Sequence, residues 1–443
     1  MPLTLGSVVD LDIEKPVAGG RMLARHHGQV VLVWGAIPGE RVRARIDRPS
    51  RSVAFATTVE VLLASPDRRA ATGDWRCGGN VYAHIAYPRQ QPLKAEVIVD
   101  ALARIGRITL PTIPQVMGSP EAGYRMRARL HVRDSRVGFF REESHEICDV
   151  GPTGQFLPET TVWIGRLQEH VRSGRVRGIA SVEIAENVAA TERVCHLEVG
   201  REAELGELTT LAEEGGLTGL TLSRTGWAEE TSFTGGIDTL TGVSIVTDEV
   251  RVSGDSEVRS VRLRRDVRAF FQGNRFLLEP LVRHVLSLVP SGPVVDLYAG
   301  VGLFGLSVAA AGGDHVVLVE GDSVSGTNLR ENAEPFGDRV DVRQTSVERF
   351  LQSAAPVAGA TFIVDPPRTG LSREAVAGIV ACRPSRIVFV SCDPATFARD
   401  VRALAEGGYA LDGLAGFDLF PNTAHVEIVG VLNARLLRVE PLG

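Results

Sequence analysis

The chain has 443 residues, 44% of them hydrophobic and 23% charged, with five cysteines and a formal net charge of −6. This length exceeds what one hydrophobic core serves, so two or three domains are expected, and the composition is that of a globular protein rather than a disordered or fibrous one. The acidic balance excludes a surface coated for nucleic acid but leaves room for a local basic groove, because phosphates need positive charge only where they touch.

The opening stretch, MPLTLGSVVDLDIEK, has no basic start followed by an apolar block. No secretory signal is expected, the protein is read as cytoplasmic, and Cys77, Cys148, Cys195, Cys382 and Cys392 are read as reduced thiols. Residues 1–63 form short alternating strands punctuated by Gly-Gly and Pro-Gly, the pattern of a small antiparallel β-barrel. Within it, ERVRARIDRPSR (40–51) sets Arg41, Arg43 and Arg45 at alternate positions, on one side of a strand. A one-sided arginine stripe is a footprint for RNA.

After an exit linker at ASPDRR (64–69), residues 64–255 read as a mixed α+β region. A helix is expected over 91–106, QPLKAEVIVDALARIG, packing on the last domain, with strands at RMRARLHVR, VGFFRE, GIASVEIAE and GLTLSRTGW. The domain beginning at 256 opens on a second basic stretch, VRSVRLRRDVRAFFQGNR (258–275), which again alternates; Arg264 and Arg265 join the barrel arginines as expected RNA contacts.

From about 276 the rhythm becomes apolar run, turn, helix. PVVDLY, HVVLVE, VDVRQT, TFIVDP and RIVFVS are candidate strands of a Rossmann-like parallel sheet covered on both faces, so the fold class is α/β with an N-terminal barrel. The most apolar window, VVDLYAGVGLFGLSVAAAGG, carries Asp296 and is broken by glycines, which suits a strand–turn–helix and not a membrane span. No membrane association and no obligate protein partner are expected. Gly300, Gly302 and Gly305 form a G-x-G-x-x-G turn, where backbone can approach a ligand. Asp296 at the first strand's end and Glu320 at the next favour S-adenosylmethionine (SAM) over a nicotinamide cofactor, which stays open. The rigid Asp-Pro-Pro at 365–367 counts against the nicotinamide.

Three strand-end segments then converge: IVDPPRTG (363–370), VSCDPATFARD (390–400) and FDLFPNTAHVEIVGVL (417–432). Cys392 stands between a strand and a Pro-started helix, with Arg368 and Arg399 as candidate neighbours. A helix N-terminus and a cation both favour a thiolate, so Cys392 reads as a nucleophile of lowered pKa, and Cys195 and Cys382 as structural.

Together FFQGNRFLLEPLV, VVDLYAGVGLFGLSVA, IVDPPRTGL, VSCDPATFARDV and DLFPNTAHVEIV resemble the ordered motif set of the SAM-dependent RNA 5-methyluridine methyltransferases, and the first 63 residues resemble the TRAM barrel of that family. The resemblance implies that Cys392 adds to carbon 6 of uracil and that Glu427 removes the proton from carbon 5. It further implies that Gln272, Asp296, Tyr298, Gly300, Gly302, Glu320 and Asp365 hold SAM. Phe270 and Phe271 would border the pocket of a flipped-out uridine in RNA, ribosomal before transfer RNA. The family's iron–sulfur ligands are missing: in ATGDWRCGGN, Ala71 stands six before Cys77 and Asn80 follows the glycines, so neither a cluster nor another metal is expected. Leu303 and Asp393 each replace a usual Asn, and Asp393 should raise the Cys392 pKa unless it is paired or points away. Cytosine-C5 methylation, a non-catalytic RNA-binding or folding factor, and more distantly a nicotinamide oxidoreductase remain as alternatives.

Overall fold

The computed structural model describes residues 3–206, 208–224, 237–253, 258–354, 357 and 359–435. Strands β1 (Val8–Pro16), β2 (Met22–His26), β3 (Gln29–Trp34), β4 (Arg41–Arg48) and β5 (Val53–Leu63) close into a barrel in the order β1-β2-β3-β5-β4. Alternation explains the closure: Val42, Ala44 and Ile46 fill the interior while the arginines of β4 face out. The barrel is not wholly antiparallel, because β3 and β5 run parallel. Five strands cannot alternate in direction around a closed ring, so one parallel seam is unavoidable.

Helix α1 (Tyr87–Ala101) continues through a π-turn at Leu102–Gly106. Its residues Ile98, Ala101 and Leu102 share a core with Phe397 and Val401 near the chain's end. A two-residue strand, β6 (Val116–Met117), follows.

The middle of the chain forms a seven-stranded sheet from β7 (Arg127–Arg133), β8 (Arg136–Phe140), β9 (Ile147–Cys148), β10 (Arg177–Glu186), β11 (Arg193–Glu204), β12 (Gly219–Arg224) and β13 (Ile237–Gly242). The order is β13-β12-β11-β10-β7-β8-β9. One face packs on α2 (Pro158–Arg172) and α3 (Leu208–Glu214): Trp163, Ile164, Leu167 and Leu211 meet Leu130, Val182 and Leu197. The other face is open along β7 and β8 but buried toward β11 and β12, where His196 hydrogen-bonds Thr221 and Ser223. The strand expected over GLTLSRTGW runs to Arg224, and the rest of that stretch lies outside the described residues. The boundary drawn at 255/256 also lies outside them. Beyond it, β14 (Ile245–Ser253) and β15 (Val258–Asp266) make an antiparallel pair.

The last sheet has eight strands in the order β18-β17-β16-β19-β20-β22-β21-β6. They are β16 (Val294–Leu297), β17 (Val316–Glu320), β18 (Val340–Gln344), β19 (Thr361–Val364), β20 (Arg386–Ser391), β21 (Tyr409–Phe417) and β22 (Glu427–Ala434), with β6 adding an edge. β16 to β20 are parallel, and β22 returns antiparallel to β20. Helices α4 (Leu278–Ser287), α5 (Leu303–Ala310) and α6 (Ser323–Ala333) share a core with one face. Helices α7 (Val347–Ser353), α8 (Arg373–Cys382) and α9 (Pro394–Glu406) share a core with the other. The chain builds outward from β16 in one direction to β18, then in the other through β19 and β20. That switch point opens a crevice at the carboxyl ends of β16 and β19. Among the described residues no helix is long and apolar enough to cross a membrane.

Candidate active site

Past Leu297 the chain turns left-handed, with φ of 61° at Tyr298, 58° at Gly300 and 101° at Gly302. For a residue with a Cβ this costs of order 1–3 kcal/mol, a strain concentrated at the crevice. At 302 only glycine fits, since a Cβ there would lie 2.4 Å from Leu306 Cδ1 and 2.9 Å from Leu329 Cδ1. The loop therefore curls over the strand ends and starts α5 at Leu303, a buried core residue that offers no polar contact.

The crevice is lined with carboxyls. Asp296 Oδ2 accepts from the Gly305 amide at 2.8 Å, while Oδ1 is buried without a partner. Burial pushes this carboxyl up to about 8. Glu320 accepts from the Gly300 amide at 2.7 Å and the Asp322 amide at 2.6 Å, tying the glycine loop to β17, and burial raises it as well. Asp365 accepts from Gln272 Nε2 at 3.3 Å and is pushed up to about 7 by burial. Glu427, buried at the start of β22, is held well above the usual range by burial and then by Asp365. An orphaned buried oxygen within so many carboxyls short of positive charge suits a ligand that brings hydrogen-bond donors and a cation.

The sheet register brings two of the expected site residues together. Ser391 on β20 faces Ile428 on β22, so the next pair outward is Cys392 opposite Glu427. The thiol does not have the lowered pKa expected from its helix: burial, and then Glu427, push it up to about 12. Arg368 is the cation opposing that rise. Arg399 does not reach it, because its guanidinium binds Asp400 and the carbonyl of Thr369 at 2.8 Å. Asp393 is turned to other work: its Oδ1 caps α9 by accepting from the amides of Ala395 (2.9 Å) and Thr396 (2.8 Å). The N-terminal charge preference of α9 is thus met by Asp393 rather than Cys392.

Several positioning residues were missed in the sequence. Lys94 and Asp418 form a fully buried ion pair, and Lys94 also donates to the Phe420 carbonyl at 3.2 Å. Gln90 holds Asn422 at both ends, donating to its side chain at 2.9 Å and accepting from its amide at 2.9 Å. Asn274 donates to the Leu419 carbonyl at 3.0 Å. Together these fix residues 418–423, which deliver Glu427. The available signal was a Gln and a Lys four apart on the buried stripe of α1.

The expected RNA contacts divide. Arg41, Arg43 and Arg45 stand on the outside of the barrel, where Arg43 bridges Asp10 and Glu60 and Arg45 meets Asp47. Arg264 is exposed and bonds Glu331 at 3.1 Å. Arg265 cannot touch RNA: it is 0% exposed, paired with Asp248 and stacked 4.5 Å from the Phe271 ring. A two-residue period puts neighbours 264 and 265 on opposite faces, and 265 falls inside. Phe271, past the end of β15, is buried under the Arg265 guanidinium, whereas Phe270 stays 59% exposed.

The cysteines also need correction. Cys77 and Cys148 are joined in a disulfide, with Cα atoms 5.7 Å apart, and only Cys195, Cys382 and Cys392 are free. Strand β8 brings the two together: Cys77 bridges Arg141 just past its end, and Cys148 pairs with Phe139. Among the described residues no group of three or more His, Cys, Asp or Glu could hold a metal ion.

A family model described as tRNA (Uracil-5-)-methyltransferase matches residues 346–436, and a TRAM domain model matches residues 2–59. A Streptomyces avermitilis protein described as an uncharacterized RNA methyltransferase is 30% identical over 97% of this chain and 98% of its own. An Aquifex aeolicus protein of the same description is 29% identical over 96% and 98%. Among solved structures, the tRNA (uracil-54, C5)-methyltransferase of Pyrococcus abyssi in complex with S-adenosyl-L-homocysteine aligns over 95% of this chain and 99% of its own, with 25% identity and a TM-score of 0.74.

Proposed function

We propose, since this chain belongs to the RNA (uracil-5-)-methyltransferase family and carries a TRAM domain, that it methylates carbon 5 of uracil in structured RNA through a covalent Cys392 adduct. The observation that carries the reading is the register placing Cys392 opposite Glu427 at the mouth of the carboxyl-lined crevice. SAM, when bound, supplies the electrophilic methyl group and a positive sulfonium. The unpartnered Asp296 oxygen, Glu320, Gln272, Asp365 and the Tyr298–Gly302 loop are the groups that would hold it.

Carbon 5 of uracil is a poor nucleophile until something adds at carbon 6. The Cys392 thiol first loses its proton to solvent, Arg368 stabilises the thiolate as its sulfur bonds carbon 6, and the displaced electron pair passes into an enolate. Carbon 5 then takes the methyl group. Glu427 accepts the carbon 5 proton, the C–S bond breaks, the double bond re-forms and the thiolate leaves. A carboxylate held above its ordinary range by burial and Asp365 is the stronger proton acceptor.

Ribosomal RNA is the first substrate to test and transfer RNA the second. The likeness to the Pyrococcus abyssi enzyme supports the second. The test uses labelled SAM and total RNA from cells lacking the activity, with nucleoside mass spectrometry and a gel for covalent adducts. 5-Methyluridine should appear, vanish in Cys392→Ala, and give way to a trapped adduct in Glu427→Gln. Methylated cytosine in its place, or undiminished turnover by Cys392→Ala, overturns the proposal.

A further inference from the structure

The expected RNA contacts left out the most regular basic strand in the molecule, RMRARLHVR, residues 125–133. As β7 it buries Ala128 and Leu130 and turns Arg127, Arg129, His131 and Arg133 to the open face of the central sheet. That face carries aromatic rings. His131 stacks on Phe140 of β8 with ring centres 3.8 Å apart and planes 12° from parallel, and His145 closes on the same ring edge-on at 5.2 Å. At the inner end Arg127 lies 5.8 Å from the ring of exposed Phe270, two residues before Gln272 of the crevice. Arg125, next inward, lies 5.1 Å from Phe420, in the loop that leads to Glu427.

We infer that this face is a platform for unpaired RNA nucleotides flanking the target uridine. The inference rests on the methyltransferase reading for the identity of the partner and adds where, and in what form, that partner lies. Two glutamates share the face, Glu183 bonded to Arg127 and Glu198 bonded to Arg129. Asp134 pairs with Arg133 at its outer end, and four arginines, Arg136 of β8 included, still leave the face positive on a chain of net charge −6. Arg129 and Arg133 keep about half their side chains exposed, and Phe140 is partly open. Arginines interleaved with stackable rings are what single-stranded nucleic acid binds; a duplex hides the π-faces such rings need. From Arg127 to Arg133 the strand extends roughly 20 Å, room for several nucleotides leading out of the crevice.

The test compares a short fluorescein-labelled single-stranded oligouridine with an RNA duplex of equal length. Proteins are wild type, Phe140→Leu and Arg129→Gln, with thermal unfolding checked for each. Phe140→Leu keeps an apolar side chain at the site and should weaken single-strand binding about 5- to 150-fold, the range of one lost base stack. Arg129→Gln should lower the slope of log affinity against log salt by about one, which a merely structural role would not do. Both variants binding the single strand within about twofold of wild type overturns the platform, as does a wild type that prefers the duplex. Methyl transfer is assayed in parallel. A wild type that binds as described but never methylates overturns the proposed function and leaves the platform standing; active variants with undiminished binding overturn the platform alone.

Discussion

In the protein free of RNA, Cys392 should be a slow nucleophile. Burial and Glu427 hold its thiol at about 12, against about 8.5 for an ordinary cysteine. At pH 8 this leaves about 2,400-fold less thiolate than an ordinary thiol has. A more basic thiolate is the better nucleophile by about 0.45 log units per pK unit, which returns about 40-fold. Alkylation by iodoacetamide should therefore run about 50- to 100-fold slower than for glutathione. It should climb about tenfold per pH unit, with no plateau below pH 10. Arg368→Gln removes the opposing cation and should slow it further at every pH. The assay is a timed pulse of reagent, a quench, and mass spectrometry of the Cys392 peptide. Cys195 and Cys382, both buried, provide unreactive internal references. A plateau below pH 9, a rate near that of glutathione, or a faster Arg368→Gln would refute the reasoning. On the proposed mechanism, a slow resting thiol would confine reactivity to the moment when a uracil occupies the crevice.

Three further outcomes follow from the same geometry. Lys94→Met strands the Asp418 carboxylate in the core and should cost about 3–5 kcal/mol in urea unfolding, with residual methyl transfer falling because the 418–423 loop loses its brace. Asp296 has a raised folded-state pKa, about 8, so the stability it contributes is present at acid pH and lost as pH climbs through that value. Asp296→Asn should therefore raise the Tm of the ligand-free protein at pH 9, leave it nearly unchanged at pH 4, and weaken SAM binding measured by calorimetry. Gly302→Ala forces a Cβ against Leu306 in a left-handed backbone. It should destabilise by about 2–5 kcal/mol in chemical unfolding and abolish cofactor binding.

What the sequence disclosed followed from periodicity. The parallel strands, the glycine turn and the strand-end positions of Asp296, Glu320 and Cys392 are local properties of apolar runs and the turns that end them. Arg265 was equally open to periodicity, since in an extended chain adjacent residues face opposite ways and Arg264 takes the outer one; Phe271, past the end of β15, was not. Other features were beyond it. The Cys77–Cys148 disulfide spans 71 residues, and only β8 brings its ends together. The parallel barrel seam appears once five strands are counted into a closed ring. The Cys392 thiol is the most instructive case. A helix start and nearby arginines argue for a low pKa, but the sequence carries no measure of burial or of what stands across the sheet. Antiparallel pairing of β20 and β22 settles both, setting Glu427 opposite Cys392, while Asp393 takes up the end of the helix. The buried Glu427 carboxyl thus adds to the burial that raises the Cys392 thiol. Glu427→Gln, which removes that charge, should therefore speed iodoacetamide alkylation of Cys392 in the same pulsed assay.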